Sequence, residues 1–242
     1  IYQRKGFTME AIKFFEKSMA IEPKDIKILE KLKEVYKEAG YFTRAIKILE
    51  KLLELKPKTL QYIFYTGQIY QELGKYKKAA ITYERALLIN SQEFIHNRTI
   101  LNSLFKRLAK KELHAFEGTL LKLIKLSPGN SMYYFILGDI YLNQYNPQKA
   151  IKFYKHALRL NPQRKIFLCA LANAIGIKGL LLYEENKFKE AEHALTTAYR
   201  IGDNKEIINR CILNLAIIYF QRNEFKKSME FFLKLNNNLT SH

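Results

Sequence analysis

The sequence predicts an all-α fold, an array of about six to seven antiparallel helix pairs with the first pair partial, stacked as one solenoid. Three observations carry this expectation. A fixed succession of residues returns about every 34 positions along the chain. Within each copy, apolar residues fall at helical intervals in two stretches separated by a turn. Apolar residues make up 48% of the 242 positions, enough to bury the faces that stacking would cover.

The clearest copy holds Gly67, Tyr70, Gly74, Tyr76, Ala79, Tyr83 and Ala86, and another holds Gly138, Tyr141, Ala150, Tyr154, Ala157 and Pro162 at the same offsets. A small residue, an aromatic three on, a turn, an alanine, then an aromatic and an alanine describe two helices crossing closely. In chain order, unit one (1–25) is partial: Tyr2, Gly6, Phe7, Ala11, Phe15 and Pro23 match the second half of the pattern. The chain thus opens inside a repeat, which predicts a piece of a longer protein whose targeting region lies elsewhere. A cytoplasmic setting is slightly favoured.

Unit two (26–59) carries Leu29, Leu32, Tyr36, Gly40, Phe42, Ala45, Leu49, Leu52 and Pro57. Gly40 suits the turn, Ala45 the close helix approach, and Pro57 the helix end. Unit three (60–93) is near-ideal, with Ser91 in place of the closing proline. Unit four (94–130) is degenerate and about three residues long for the pattern, with Phe116, Leu120 and Leu123 out of type. Unit five (131–162) returns to form, with Pro147 replacing the aromatic after the turn.

Unit six (163–208) has a surplus of about seven residues, two helical turns, in its first helix. The apolar run Ile166–Leu171 is expected either to be covered by a neighbour or to project as an apolar knob, a route to oligomers. From Ile166 to Tyr183 only Asn173 and Lys178 interrupt apolar or small residues, close to the length of a spanning helix. Gly176, Gly179 and the continuing repeat pattern favour a solenoid helix over a transmembrane one. Unit seven (209–235) has Leu215, Ala216, Tyr219, Phe225, Ser228 and Phe232, and the polar tail 236–242 is expected to fray.

This grammar resembles the tetratricopeptide repeat family across essentially the whole chain. The resemblance implies a right-handed α–α superhelix acting as a non-catalytic scaffold or adaptor, with a protein or peptide in the groove lined by each first helix. It implies which residues face inward. Unit two presents Lys27, Glu30, Lys31, Glu34, Lys37 and Glu38; unit three presents Gln61, Phe64, Tyr65, Gln68, Gln71 and Glu72. Beyond these the wall turns apolar, with Phe105, Met132, Phe135, Ile136, Leu142, Ile177, Leu180, Tyr183, Leu213, Ile217 and Phe220. Polar members there are Arg98, Asn102, Asp139, Asn143, Asn173, Arg210 and Asn214. An apolar wall of that size points to an amphipathic helix or apolar peptide as ligand, with Phe135, Leu142, Tyr183 and Phe220 as anchors. Two other readings stand beside it: the walls touch and these residues are core, or the protein's own chain fills the groove. The chaperone-tail clamp of some members is excluded. Arg98 and Asn102 fit it, but Ile136, Asn173 and Ile177 stand where asparagine, lysine and arginine are required.

The formal charge is +18, with lysine outnumbering arginine about three to one. Lys47, Lys51, Lys56, Lys58, Lys75, Lys77, Lys78, Arg85, Lys149, Lys152, Lys155 and Arg159 lie on second helices and turns. A basic ridge for nucleic acid or anionic membrane is the runner-up function. Scarce arginine and the absence of interleaved aromatics weigh against it, and lysine on solvated faces explains the charge without a ligand. Cys169 and Cys211 form neither a disulfide framework nor a metal site. The histidines are scattered, the carboxylate clusters are ordinary helix charge, and no phosphate loop or nucleophile motif occurs, so neither enzyme activity nor a cofactor is expected.

Overall fold

The structure, a computed structural model, describes residues 2–240, with side chains from Phe7 to Leu239. The pattern positions Tyr2 and Gly6 lie outside the described side chains, and residues 241–242 of the tail lie outside the description. The fold is all-α, as expected: thirteen α-helices and one 3-10 turn, with no strand among the described residues. Two compact units divide the chain, Ile1–Phe116 and Glu117–His242. The division falls in the degenerate fourth repeat.

The first unit holds α1 (Tyr2–Ile21), α2 (Ile26–Glu38), α3 (Phe42–Leu55), α4 (Leu60–Glu72) and α5 (Tyr76–Ile89). A 3-10 turn (Ser91–Phe94), α6 (Arg98–Arg107) and the start of α7 (Lys110–Leu126) follow. Where the pattern implied the remnant of a first helix before a turn, α1 is one unbroken helix. Asp25 starts α2 by accepting from the amides of Lys27 at 2.7 Å and Ile28 at 3.2 Å, satisfying donors the helix itself cannot. Leu29, Leu32, Ala45, Leu49 and Leu52 form a core sealed from solvent.

The second unit continues from α7 into α8 (Ser131–Asn143), α9 (Pro147–Leu160), α10 (Lys165–Glu184), α11 (Phe188–Ile201), α12 (Lys205–Gln221) and α13 (Phe225–Thr240). Asn130, Asn146 and Asn204 cap α8, α9 and α12 through side-chain oxygens. Pro147 fits the pattern's departure there, because a proline at the first helical position loses no helical hydrogen bond. The surplus in unit six is helix: α10 has 20 residues against 13 for α8. Its extension is covered at Phe167, Ala170 and Leu171, which are buried. Ile166, Leu168 and Cys169 are half-buried, so it is neither fully enclosed nor a free knob.

α10 is also the one described helix long and apolar enough to cross a membrane. It packs here against α9, α11 and α12. The tail expectation fails. α13 runs on to Thr240, and Asn238 Nδ2 donates to Asn209 Oδ1 at 3.1 Å, so the asparagine run gains a helical partner rather than fraying.

Two devices repeat. The turn inside each pair except the degenerate α6/α7 closes with a left-handed residue, at Gly40, Gly74, Tyr145, Asn186 and Asn223 (φ 76°, 70°, 56°, 59° and 60°). In each, the next amide reaches back five residues, as from Tyr41 to the Tyr36 carbonyl (2.7 Å) and from Asn146 to that of Tyr141 (2.9 Å). Tyrosine–glutamate bonds tie three first helices, α2, α8 and α12, to the helix before each. Tyr36 Oη donates to Glu16 at 2.6 Å and Tyr219 Oη to Glu192 at 2.7 Å, with Tyr141 and Glu117 paired likewise. Burial, then the carboxylate acceptor, push all three phenols up to about 12.

Candidate functional site: the inner faces of the first helices

The repeat grammar has a steric origin. A Cβ on Gly67 would lie 2.4 Å from the Tyr83 ring, and one on Gly138 would lie 2.3 Å from the Tyr154 ring. Glycine in the first helix therefore makes room for tyrosine in the second. The tyrosines are fully buried, and Tyr154 Oη donates to Asp139 Oδ1 at 2.5 Å. Ala45, Ala79, Ala150 and Ala191 recur at one offset with no exposure. Ser228 takes that place in the last pair, its hydroxyl satisfied by the Ala216 carbonyl at 2.9 Å.

This packing removes part of the expected apolar wall. Phe64, Phe105, Met132, Phe135, Ile136 and Asp139 are buried, so they are core and not lining. Phe64 packs edge-on to Phe94, Phe105 on Phe116, and Phe135 on Phe167 at 4.8 Å. For Phe64 and Phe135 the physical reason is the stacking itself, since the leading segment of the next pair covers them, whereas Phe105 is covered by the second helix of its own pair. α8 is buried at every residue from Ser131 to Tyr141. Phe135 thus cannot serve as an anchor.

In the first unit much of the remaining expected lining has partners within the protein. The Tyr65 ring has the Lys33 ammonium at 4.5 Å and that of Lys37 at 4.8 Å from its centre. Glu30 accepts from Tyr62 Oη at 2.5 Å, Lys31 pairs with Glu34 at 3.3 Å, and Lys37 with Glu72 at 3.6 Å. Gln71 donates to the Ile100 carbonyl at 3.3 Å. Arg98 and Asn102 are half-buried.

In the second unit an apolar face survives on α10 and α12, which lie side by side. Ile177, Leu180 and Tyr183 are half-buried along α10, and Leu142 ends α8 in the same state. On α12, Ile217 is half-buried, Leu213 is 40% exposed and Phe220 is 58% exposed. The i, i+4, i+7 spacing on α12 and the i, i+3, i+6 spacing on α10 keep each set to one side of its helix. A polar rung crosses between the helices: Arg210 Nη2 donates to Asn173 Oδ1 at 2.5 Å, and Asn214 Nδ2 to the Arg210 carbonyl at 2.7 Å. Behind it the Cys211 thiol is fully buried and shifted up by desolvation, the state of a packing residue rather than a nucleophile. Tyr183 and Phe220 each pack edge-on to the first residue of the following helix, Phe188 and Phe225.

The tyrosine–glutamate ties and the α10/α12 rung were not foreseen. The tie has a trace in the chain, a glutamate 20 to 27 residues before a pattern tyrosine. No spacing rule announces the rung.

Paired antiparallel helices joined by left-handed turns and sealed by glycine–tyrosine contacts define a helical-repeat protein. The family profile for the anaphase-promoting complex, cyclosome, subunit 3 matches residues 5–86, and that for the tetratricopeptide repeat matches residues 131–164. Together with the repeat pattern, these matches support a tetratricopeptide repeat protein, and such repeats generally mediate protein–protein interaction and scaffolding. Among solved structures, the C-terminal part of a tetratricopeptide repeat protein from Cytophaga hutchinsonii matches with a TM-score of 0.59 at 17% identity, covering 100% of this chain and 96% of that one. A repeat protein from Parabacteroides merdae matches at 15% identity and a TM-score of 0.46, covering 98% and 88%. PilF of Pseudomonas aeruginosa matches at 20% and 0.43, covering 97% and 95%. At 17% identity the likeness to the Cytophaga hutchinsonii protein is one of fold. No curated protein matches the chain.

Proposed function

We propose that this protein is a non-catalytic interaction scaffold that holds an amphipathic or apolar peptide against the paired faces of α10 and α12. One observation carries the reading: Leu213 and Phe220 stay exposed, beside half-buried Ile177, Leu180, Tyr183 and Ile217, after the helix pairs have completed their cores. Apolar side chains at helical spacing on two adjacent helices suit a ligand helix that inserts its own anchors between them. The Arg210–Asn173–Asn214 rung supplies fixed polar groups beside the stripe, which would orient the ligand.

The test is a display selection of helical peptides against the whole chain, followed by affinity measurement on Leu213→Ser and Phe220→Ser. Both side chains are exposed, so the melting temperature should hold while selected peptides bind about tenfold more weakly to each variant. Undiminished binding would remove the site. A large loss of melting temperature would instead make these residues structural.

A further inference from the structure

We propose that the cleft between α9 and the lengthened start of α10 is a second docking site, one that takes an acidic amphipathic helix of a partner protein. The cleft measures about 720 Å³ and is lined by Lys152, Lys155, Arg159, Leu158, Pro162 and Leu171. The three cations stand at i, i+3 and i+7 on α9, one stripe of that helix. Beneath them Leu158 is half-buried and Leu171 buried, so a charged rim surrounds an apolar floor.

Charge complementarity names the occupant. From Pro147 to Tyr183 the chain has seven lysines and arginines and no aspartate or glutamate. Among the described residues, neither Lys152 nor Lys155 makes an ion pair, whereas Lys31, Lys187 and Lys227 are each matched by a glutamate. Arg159 is held in place: its Nη2 lies 2.8 Å from His156 Nδ1, and the imidazole stacks on Tyr134 at 4.0 Å. Burial and then the neighbouring guanidinium lower the pKa of His156, which keeps its ring neutral and able to accept that hydrogen bond. A rim cation positioned before the ligand arrives loses less freedom on binding.

Carboxylates at matching i, i+3/i+4 and i+7 positions on a ligand helix would meet the rim, with a leucine or phenylalanine between them on the floor. The floor of leucine and proline offers no ring for a base to stack on, which favours protein over nucleic acid. The site stands on α9 and the first two turns of α10. It therefore does not depend on the α10/α12 face.

Fluorescence anisotropy on the whole chain tests this with a labelled helical peptide carrying glutamates on one stripe beside leucines. The K152E/K155E variant should lose about tenfold or more in affinity, since two attractions become repulsions. Its melting temperature should hold because both lysines are exposed. Leu158→Ser should weaken the same peptide, and Leu213→Ser should leave it unaffected. Three results would each overturn the proposal: equal affinity of K152E/K155E, equal binding of a peptide whose leucines are replaced by serine, or tighter binding of single-stranded oligothymidine with the same dependence on Lys152 and Lys155.

Discussion

Replacing Gly138 by alanine should destabilise this protein, although the same change inside an ordinary helix stabilises by about 1 kcal/mol. The new Cβ would sit 2.3 Å from Cε1 and 2.5 Å from Cδ1 of Tyr154. Carbon atoms in contact need about 3.5 Å, so the ring must retreat by roughly 1.2 Å. It has little room to do so: Tyr154 is fully buried, bears on Phe135 at 5.7 Å, and is tethered to Asp139 at 2.5 Å. Overpacking costs about 1–3 kcal/mol and a strained hydrogen bond about 1 kcal/mol more. Set against the propensity gain, the net loss is about 2 kcal/mol, or a fall of roughly 4–8 °C in Tm. Gly118 in α7 is the control, because nothing lies within 4 Å of its would-be Cβ. There alanine should raise Tm by about 2–4 °C. Urea unfolding should show opposite midpoint shifts at constant slope. In the Gly138→Ala background, Tyr154→Leu should cost less than it does alone, since it frees the space. A Gly138→Ala protein as stable as the parent would refute the steric account of the repeat grammar.

Other outcomes follow from the same geometry. Tyr145 holds φ 56° in the turn before α9 and is 86% exposed, so Tyr145→Gly removes left-handed strain with little packing lost. A gain of about 0.5–1 kcal/mol in chemical denaturation is expected, and a loss would show that the ring has a structural role. Tyr219 has its pKa pushed up to about 12 by burial and then by Glu192. Because the folded phenol holds its proton more tightly than the unfolded one, its stabilisation is complete below pH about 10 and is lost as pH rises toward 12. Tyr219→Phe should cost about 1 kcal/mol at neutral pH. The stability gap between parent and variant should then narrow through that alkaline window; a constant gap would deny the tie.

How much of the site was legible divides by residue. Gly67, Gly138 and the offset alanines are readable as marks of a close helix crossing because their role is local, and the structure adds the tyrosine rings they make room for. Phe64 and Phe135 escape the spacing for the opposite reason. Whether an aromatic on a first helix faces the groove or the neighbouring pair depends on how far the next segment advances over it. Phe135 is covered by Phe167, which belongs to the two extra turns of α10. The asparagine-rich end looked like a fraying tail because composition does not reveal that Asn209 stands within reach of Asn238.

The sequence by itself determined the all-α repeat, the pairing of helices within each unit, the lengthened sixth unit and the close helix crossing marked by small residues, since each follows from contacts within about 34 residues of chain. Only the tertiary structure decided which apolar side chains remain open to a ligand. It also decided which lysines stand unmatched around the α9/α10 cleft. Exposure and ion pairing are set by what lies across the gap from a residue, and a spacing rule along one strand of text carries no record of that distance.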